Sequence, residues 1–248
     1  MKLALLGLGR MGRAVQALAV SRGHEVVLAL DSKANESGKA LTPEALSDVD
    51  VAIDFTTPAA VVDNLARCAA AGVPCAVGTT GWYEQLEQVR RSVDDHGTGV
   101  VYGANFSIGA NLFMSISSYA AKLFSRFDEY DPYVSEHHHV AKRDAPSGTG
   151  LRLAEAVVAA NPRKTRLQTG APAGAIAPEA LHVVSLRAGA AFGRHEVGFD
   201  SPVDTVTLSH AAHGRDGFAS GALHAAEWIR DKKGLFEFSS ILEGDAQA

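Results

Sequence analysis

The feature that most constrains the fold is a glycine-rich turn between a short apolar run and a helical segment. Lys2–Leu6 predicts a buried strand, and Gly7-Leu8-Gly9-Arg10-Met11-Gly12 follows it directly, at the start of a predicted helix over Met11–Arg22. Glycines at this spacing allow a tight turn, close approach of the backbone to a pyrophosphate, and close packing of helix on strand. The helix N-terminus offers unpaired N–H groups and a positive dipole to phosphate. The pattern predicts that the chain opens with a dinucleotide-binding strand and helix, although a turn without a ligand would need the same residues.

Strands and helices alternate over the first hundred residues. The predicted strands are Lys2–Leu6, Glu25–Leu30, Val51–Phe55, Val73–Val77 and Gly99–Tyr102, and further helices are predicted over Ala59–Ala71 and Trp82–Val93. This alternation is typical of right-handed βαβ units and a parallel sheet. Ligands bind such sheets beyond the carboxyl ends of the strands. We therefore expect one ligand-binding rim formed by Gly7–Gly12, Asp31, Phe55–Pro58, Gly78–Gly81 and Gly103–Phe106.

Asp31 is the acidic residue that a dinucleotide site of this kind requires. It stands 22 residues past Gly9, at the end of the second predicted strand, where a carboxylate can accept hydrogen bonds from ribose hydroxyls. Its charge would repel a 2′-phosphate and so favours NADH. Lys33 could pair with such a phosphate, and use of NADPH as well therefore stays open. Asp31 could also be a simple turn residue.

The character of the chain changes after about Asn105. The pattern predicts a long helix over Ile108–Phe127, a strand over Tyr133–Glu136 and a helix over Leu151–Ala160. Three β-rich runs follow with no long helix between them, namely Leu181–Arg187, Arg194–Phe199 and Thr205–Ala211. Such runs favour an open, mixed sheet in which antiparallel neighbours predominate. A last helix is predicted over Phe218–Arg230, and Gly234–Leu242 is expected to return to the first domain.

Together these patterns predict an α/β protein of two domains. Residues 1–106, completed by 216–248, are expected to form a Rossmann-like dinucleotide-binding domain. Residues 107–215 are expected to form an α+β domain that binds substrate and forms the oligomer.

Composition and charge exclude several classes of protein. With 248 residues, 46% of them apolar and 21% charged, the chain is in the ordinary globular range. No apolar run approaches the ~18 residues of a membrane helix. The net charge of −5 does not favour nucleic acid, and Cys68 and Cys75 form neither a CxxC pair nor a metal-binding spacing. We expect a cytoplasmic enzyme with no membrane or nucleic-acid partner.

The densest chemistry lies between Glu136 and Gly150. Three consecutive histidines, His137–His139, suggest a metal site, but alternate side chains of a strand point to opposite faces, so one ion cannot easily gather all three. We find no further ligand at zinc spacing and expect no metal. A solvated polar strand end is another interpretation. Lys142 and Arg143 beside His138 and His139 favour a cationic pocket instead.

A predicted helix start follows this cationic segment. Ser147-Gly148-Thr149 precedes the helix expected from about Leu151. A hydroxyl cap and free backbone N–H groups at that point form a carboxylate site. A small anionic molecule held there would have its reactive atoms near His or Lys, and both can act as general acids when their neighbours tune the pKa.

From Glu136 to Gly150 the sequence resembles the 4-hydroxy-tetrahydrodipicolinate reductase (dihydrodipicolinate reductase) family, whose pattern is E-x-H-H-x-x-K-x-D-A-P-S-G-T-[AG]. His137 stands where the family usually has a small or apolar residue. The likeness extends to Asp54-Phe55-Thr56, Gly78–Gly81, Ala104–Gly109, and Arg187-Ala188-Gly189 with Gly193 and His195. It therefore spans nearly the whole chain.

The resemblance implies reduction of 4-hydroxy-tetrahydrodipicolinate to tetrahydrodipicolinate by NADH or NADPH, in the diaminopimelate route to lysine. It implies that His138 and Lys142 are the catalytic acid pair and that His139, Gly148 and Thr149 bind the substrate carboxylates, to which the cap argument adds Ser147. It also implies a homotetramer formed through the sheet of the second domain. The residues that it implies for the dinucleotide are Gly7, Leu8, Gly9, Arg10, Met11, Gly12, Asp31, Gly78, Thr79, Thr80, Gly103, Ala104, Asn105 and Phe106.

Two other classes of protein share the glycine-rich turn. One is another Rossmann oxidoreductase, such as an amino-acid dehydrogenase that acts on aspartate, and the other is a non-enzymatic sensor of NAD(H). The former should lack the segment from His138 to Thr149, and the latter has no need of an acid pair beside a carboxylate site.

Overall fold

The computed structural model describes residues 1–244. The chain divides into two compact units. The first comprises Met1–Ile108 and the segment that begins at Arg215, and the second comprises Gly109–Gly214. Of the segment 216–248 that was expected to complete the first domain, residues 245–248 lie outside the described residues. The roles predicted for the two domains stay predictions.

The described residues form eleven strands and eight α-helices. The strands are β1 Lys2–Leu6, β2 Glu25–Leu30, β3 Val51–Asp54, β4 Cys75–Val77, β5 Gly99–Tyr102, β6 Asp131–His138, β7 Arg166–Thr169, β8 Ala180–Arg187, β9 Gly193–Asp200, β10 Thr205–Ala212 and β11 Gly234–Glu237. The helices are α1 Arg10–Ser21, α2 Pro43–Leu46, α3 Pro58–Ala70, α4 Leu86–His96, α5 Ile108–Phe124, α6 Gly148–Ala160, α7 Asp216–Ile229 and α8 Phe238–Glu243. Short 3-10 turns cover Glu36–Gly38 and Tyr83–Gln85.

The first unit is built on a parallel sheet with strand order β11-β5-β4-β3-β1-β2. The strands on either side of β1 are β2 and β3, so the order reverses at β1 and a crevice opens there at the carboxyl ends. The predicted α/β class with a parallel first sheet is confirmed. The expected return of the C-terminal segment is also confirmed, because β11 pairs with β5 from Gly234 to Glu237.

Buried apolar residues cover both faces of this parallel sheet. One layer packs α1 and α7 on the sheet around Leu3, Leu5 and Leu223. The other packs α3 and α4 around Leu65 and Val89. A parallel sheet covered on both faces is built from nearly continuous apolar strands. This is why the short apolar strands of the first sheet could be predicted from the sequence.

The second unit contains a five-stranded mixed sheet in the order β10-β9-β6-β8-β7. The pairs β10·β9 and β6·β9 are antiparallel, whereas β6·β8 and β7·β8 are parallel. The expected mixed sheet is confirmed, but the expected predominance of antiparallel neighbours is wrong. The reason is that β7, Arg166–Thr169, is a short strand with no buried residue, and its pairing adds a parallel neighbour to β8.

Several predicted boundaries shift where the apolar pattern is weak. The predicted strand Tyr133–Glu136 is too short, because β6 runs from Asp131 to His138 and its buried positions include polar Glu136 and His138. Helix α6 begins at Gly148, one turn before the expected Leu151. Helix α5 ends at Phe124, short of the expected Phe127. No helix in residues 1–244 is both long enough and apolar enough to cross a membrane.

Candidate active site

The glycine-rich turn leaves no room for side chains at two of its positions. Gly7 has φ +89°, and a Cβ there would lie 2.3 Å from the carbonyl oxygen of Phe55. A Cβ on Gly12 would lie 1.9 Å from the carbonyl oxygen of Gly7, whereas a Cβ on Gly9 would meet no atom within 4 Å. Gly7 and Gly12 are therefore required for packing, and Gly9 keeps the backbone open to a ligand.

Helix α1 begins at this turn with its backbone N–H groups available. The N-cap residue is Gly9, so no side chain caps the free N–H groups, and the first turn carries no acidic residue. Unpaired N–H groups and the helix dipole then favour an anion at this end. Arg10 is exposed and Met11 is half-buried. The residues present fit the pyrophosphate of a dinucleotide.

A cavity of about 470 Å³ lies at the carboxyl ends of β1, β2 and β3. Its lining includes Gly7–Gly9, Leu30–Ser32 and Phe55–Thr57. This is the point at which the strand order reverses, where dinucleotides bind in folds of this class. The structure therefore brings Gly7, Leu8, Gly9 and Asp31 together, as the predicted rim requires.

The carboxylate of Asp31 is held by the turn that follows it. Its Oδ1 accepts hydrogen bonds from the backbone N–H groups of Ala34 at 2.8 Å and Lys33 at 2.9 Å. Both hydrogen bonds lower the pKa of Asp31, and the one from Ala34 contributes more than the one from Lys33. The carboxylate is thus a fixed anion on the cavity wall, and Glu36 lines the same cavity.

Thr79 lies in a buried network rather than on the wall of this cavity. Its hydroxyl donates to Asp54 Oδ1 at 2.8 Å, and Asp54 also accepts from the side chains of Thr56 and Asn64. Burial raises the pKa of Asp54 although these hydrogen bonds oppose the shift. A Cβ on Gly78 would lie 2.0 Å from the Phe55 ring. Gly78 and Thr79 thus tie together the loops after β3 and β4, while neighbouring Thr80 is exposed.

The predicted segment Gly103–Phe106 follows β5 and is held mostly by the core. Phe106 is 2% exposed, and its ring centroid lies 4.6 Å from that of Phe238. Asn105 Oδ1 accepts from the backbone N–H of Ser107 at 2.8 Å, Gly103 is buried and Ala104 is exposed. None of the four lines the 470 Å³ cavity, and their contact with a dinucleotide stays a prediction.

In the second unit, burial alternates along β6. Pro132, Val134, Glu136 and His138 are buried, while the intervening side chains are more exposed. This alternation confirms the argument that His137 and His138 face opposite ways. His137 Nε2 lies 3.0 Å from the carbonyl oxygen of Ala188. His139 follows the end of the strand, is half-buried, and donates its backbone N–H to Ala191.

Glu136 is the centre of the polar cluster on the buried side of the sheet, and its side chain is 0% exposed. Its Oε1 accepts from Arg187 Nη2 at 2.7 Å, the Ser185 hydroxyl at 2.8 Å and the Ser147 backbone N–H at 2.9 Å. Its Oε2 accepts from the Ser147 hydroxyl and lies 3.4 Å from His138 Nδ1 and 3.6 Å from His195 Nε2. One carboxylate therefore contacts β6, β8, β9 and the start of α6.

The environment of this cluster shifts two pKa values downward. Burial raises the pKa of Glu136, but the neighbouring His195 and the hydrogen bonds from Ser147 and Arg187 outweigh it and hold that pKa well below its usual range. Burial lowers the pKa of His138 to about 4, against the opposing effect of Glu136, and the positive charges of Lys142 and Arg187 lower it further. At neutral pH the cluster therefore contains a carboxylate and a neutral His138.

Ser147 is the N-cap of α6. Its hydroxyl accepts from the backbone N–H of Gly150 at 3.0 Å and donates to Glu136. Ser147 is buried, Thr149 is half-buried, and exposed Gly148 has open space where a Cβ would stand. The N–H groups of the first turn at Gly148 and Thr149 have no intrahelical partner by geometry. The expected helix start with a hydroxyl cap is thus present.

Lys142 lies in the loop between β6 and α6. Its ammonium is 24% exposed and lies 2.8 Å from the carboxylate of Asp144, which is 56% exposed. Arg187 links this loop to the cluster, because Nη2 donates both to Glu136 and to the carbonyl oxygen of Asp144. The predicted acid pair therefore consists of a buried imidazole and a half-buried ammonium.

Within residues 1–244, one group of side chains has the spacing of a metal site. It consists of Glu136, His138 and His195, whose potential ligand atoms lie within 4.8 Å of one another. Two imidazoles and a carboxylate can bind iron or zinc. Here, however, the carboxylate already accepts from two hydroxyls, a backbone N–H and the Arg187 guanidinium. A neighbouring guanidinium also repels a metal cation. The donor set fits a hydrogen-bonded cluster better than a metal centre, and only one of the three consecutive histidines belongs to it.

No role was predicted from the sequence for Glu136, Arg187 or His195, although all three lie in the segments that resemble the family. The period of two along β6 was the available signal for Glu136, because it places that residue on the same face as His138. Arg187 and His195 come from β8 and β9, and no local pattern connects them to β6.

A parallel sheet with a glycine-rich turn at its reversal point, opening a helix with free N–H groups, defines a Rossmann-type dinucleotide-binding protein. The model described as dihydrodipicolinate reductase, N-terminus, matches residues 1–106, and the C-terminus model matches residues 109–242. The chain belongs to the dihydrodipicolinate reductase family, as the resemblance predicted. It is therefore a pyridine-nucleotide-dependent oxidoreductase.

Relatives match the chain over nearly its full length. The 4-hydroxy-tetrahydrodipicolinate reductase of Christiangramia forsetii is 32% identical over 244 residues, covering 98% of each chain. That of Archaeoglobus fulgidus is 36% identical over 268 residues, covering 98% of this chain and 100% of the relative. The solved structure of dipicolinate-bound dihydrodipicolinate reductase from Paenisporosarcina sp. TG-14 has a TM-score of 0.78 at 28% identity, covering 96% of this chain and 97% of that one.

Proposed function

We propose that the chain reduces 4-hydroxy-tetrahydrodipicolinate to tetrahydrodipicolinate in the diaminopimelate route to lysine, with His138 and Lys142 acting on the substrate. Family membership and the full-length relatives with this name support the reaction. The observation that carries the assignment to these residues is one buried carboxylate, Glu136, which contacts the His138 imidazole and the N-cap of α6 and is joined through Arg187 to the loop that carries Lys142.

NADH is the nucleotide that the cavity favours. Asp31 and Glu36 both line it, and Asp31 is held ionised by two backbone N–H groups. Two carboxylates repel a 2′-phosphate, whereas one can accept from a ribose hydroxyl. When bound, the reduced dinucleotide supplies the hydride, and the loss of water from the hydroxylated substrate precedes that transfer.

Lys142 is the proton donor in this proposal. Hydride addition at C4 leaves an enamine that needs one proton, and at neutral pH His138 is already the free base because its pKa is about 4. Lys142 carries a proton as an ammonium and is only partly covered by solvent-exposed Asp144. His138 then orients the ring and stabilises charge as a neutral hydrogen-bonding group. The free N–H groups at Gly148 and Thr149, with His139, hold the substrate carboxylates.

Steady-state NADH oxidation, with and without the cyclic substrate, tests the reaction and the residues together. Lys142→Met should lower kcat by ~10²–10⁴-fold, the usual contribution of a positioned acid, and leave the KM for NADH within about two-fold. The matched control is Lys122→Met on the exposed part of α5, which should behave like wild type. Full turnover in Lys142→Met would remove Lys142 from the mechanism.

Fluorescence titration with both nucleotides tests the cofactor preference. We expect NADH to bind about ten-fold more tightly than NADPH, and Asp31→Asn to reduce that ratio by removing the repelling charge. The control is Asp48→Asn, since Asp48 is an exposed carboxylate paired with Lys2. An unchanged ratio in Asp31→Asn would contradict the role of Asp31.

We further propose that the chain acts as a cytoplasmic homotetramer formed through the open face of the second sheet. Val184 and Leu186 lie on that face of β8 and are 42% and 54% exposed, which supports an interface there. Cys68 and Cys75 are free and buried, which fits a reducing compartment. Light scattering on a sizing column checks the subunit number, and a monomeric mass would contradict the proposal.

A further inference from the structure

Glu136 has no task in the reaction proposed above, although it makes more polar contacts than any other group of its cluster. It is the middle of a polar row that crosses the sheet, because His210 pairs with His195, His195 with Glu136, and Glu136 with Ser185. Burying an ionised carboxylate is costly unless it is well compensated. The buried charge of Glu136 therefore indicates a role other than packing.

Each contact of Glu136 reaches a different part of the candidate substrate site. Ser147 is the N-cap of α6, so its two hydrogen bonds to Glu136 fix the end of the helix that carries Gly148 and Thr149. The guanidinium of Arg187 binds Glu136 and the carbonyl oxygen of Asp144, two residues beyond Lys142. His138 Nδ1 lies 3.4 Å from Oε2 of the same carboxylate.

The space around the carboxylate is tightly limited. A Cβ on Gly150 would lie 2.9 Å from Glu136 Oε2, and a Cβ on Gly193 would lie 3.0 Å from His138 Nε2. Glycines at both positions let α6 and β9 approach the acid and the imidazole. The carboxylate is thus held in one position and can fix its partners in turn.

We propose that Glu136 is a positioning residue of the reaction, which aligns the carboxylate-binding end of α6, the loop that carries Lys142, and the His138 imidazole through one buried carboxylate. This inference rests on the proposed function. As a positioning residue, Glu136 contacts neither the reacting atoms nor the dinucleotide. It acts through Ser147, Arg187 and His138.

Substitution of Glu136 by Gln tests the proposal with a side chain of nearly the same shape. The amide has one acceptor oxygen in place of two and adds an N–H₂ donor, so the donors of Ser147 and Arg187 cannot all be satisfied. The probe for the site is dipicolinate, a planar dicarboxylate, titrated in the presence of NADH. Parallel NADH titration gives the concentration of protein whose first unit is folded, because the dinucleotide cavity lies in that unit, and hydrogen exchange of the β6 amides reports whether the second unit is folded.

We expect Glu136→Gln to raise the dissociation constant for dipicolinate and the KM for the cyclic substrate by ~10-fold or more, and to lower kcat by about 10-fold, the effect of losing a charged hydrogen bond. The NADH dissociation constant should stay within about two-fold. Glu136→Asp keeps the charge and should give intermediate values. The matched control is Asp131→Asn, which removes a carboxylate at the other, exposed end of β6 and should bind dipicolinate as wild type does.

A double-variant cycle with Ser147→Ala separates alignment from a general loss of packing. If Ser147 acts through Glu136, the double variant should bind dipicolinate hardly more weakly than Glu136→Gln alone, because residues that share one contact are not additive. Fully additive effects would overturn the alignment through Ser147.

Wild-type dipicolinate affinity and kcat in both Glu136→Gln and Glu136→Asp would overturn the proposal. So would an equal loss of NADH and dipicolinate binding in both variants, which would indicate a structural role alone. The failure of the proposed function is a different result, since wild-type protein would then show no NADH or NADPH oxidation with the cyclic substrate.

Discussion

Acidification should destabilise the sheet of the second unit because His138 is buried as a neutral imidazole. Its folded-state pKa is about 4, whereas an imidazole in an unfolded chain has a pKa of about 6.5. The unfolded chain therefore takes up a proton first as the pH falls. Stability from this group is complete above the unfolded pKa and is lost as the pH falls towards the folded pKa.

The size of this loss follows from the two pKa values. Between pH ~7.5 and pH ~5 the difference in proton binding lowers the free energy of unfolding by ~2 kcal/mol. Glu136 adds little in that window, because its pKa lies well below its usual range and it stays ionised. His210, whose pKa burial also lowers, contributes equally to wild type and to a His138 variant and cancels in their difference.

Hydrogen exchange of the β6 amides, corrected for the intrinsic rate at each pH, measures the opening free energy of this sheet. Wild type should lose ~2 kcal/mol more than His138→Gln between pH ~7.5 and pH ~5. The control is His96→Gln, at the exposed end of α4, which should follow wild type. Equal losses in wild type and His138→Gln would refute the inference that His138 is held neutral.

Two further predictions concern glycines. Gly12→Ala should destabilise the first unit and abolish NADH binding, because its Cβ would overlap the Gly7 carbonyl. Gly9→Ala should unfold at the wild-type temperature, because its Cβ would meet no other atom. It should nevertheless bind NADH at least ~10-fold more weakly, since that Cβ would occupy the open space at the phosphate site. Equal melting temperatures for the two variants would contradict this packing. Gly193→Ala should displace His138 and lower kcat with little change in NADH affinity, and unchanged kcat would show that the imidazole does not need its present position.

The dinucleotide-binding half could be predicted from sequence because its signals are local. The apolar runs of β1 and β2, the glycines between 7 and 12, and Asp31 follow one another within about one βαβ unit, and each has a fixed offset from the last. The structure places Gly7–Gly9 and Asp31 on one cavity. Short β11 also fits the pattern, because Leu235 and Phe236 are buried.

The candidate active site could be predicted only in part, because its centre is assembled from strands that are distant in the sequence. Lys142 and Ser147 belong to one continuous segment with a recognisable helix start. Arg187 and His195 reach Glu136 through the pairing of β6 with β8 and β9, and a single sequence does not encode that pairing locally. The charged and proline residues at one end of β6, Asp131 and Pro132, and the histidines at the other, His137 and His138, also fall outside the apolar pattern, which is why β6 was predicted too short.

The return of the chain from the second unit has a consequence for biosynthesis. Helix α7 contributes Ala222, Leu223 and Ile229 to the largest core of the first unit, and β11 completes the edge of its sheet. A ribosome that has released only residues 1–108 has therefore delivered a Rossmann sheet that has α1 on this face but lacks α7, and whose edge lacks β11. The dinucleotide-binding half cannot become stable until α7 and β11 are translated. Residues 109–214 are therefore already synthesised before the unit that contains the Rossmann sheet can finish folding.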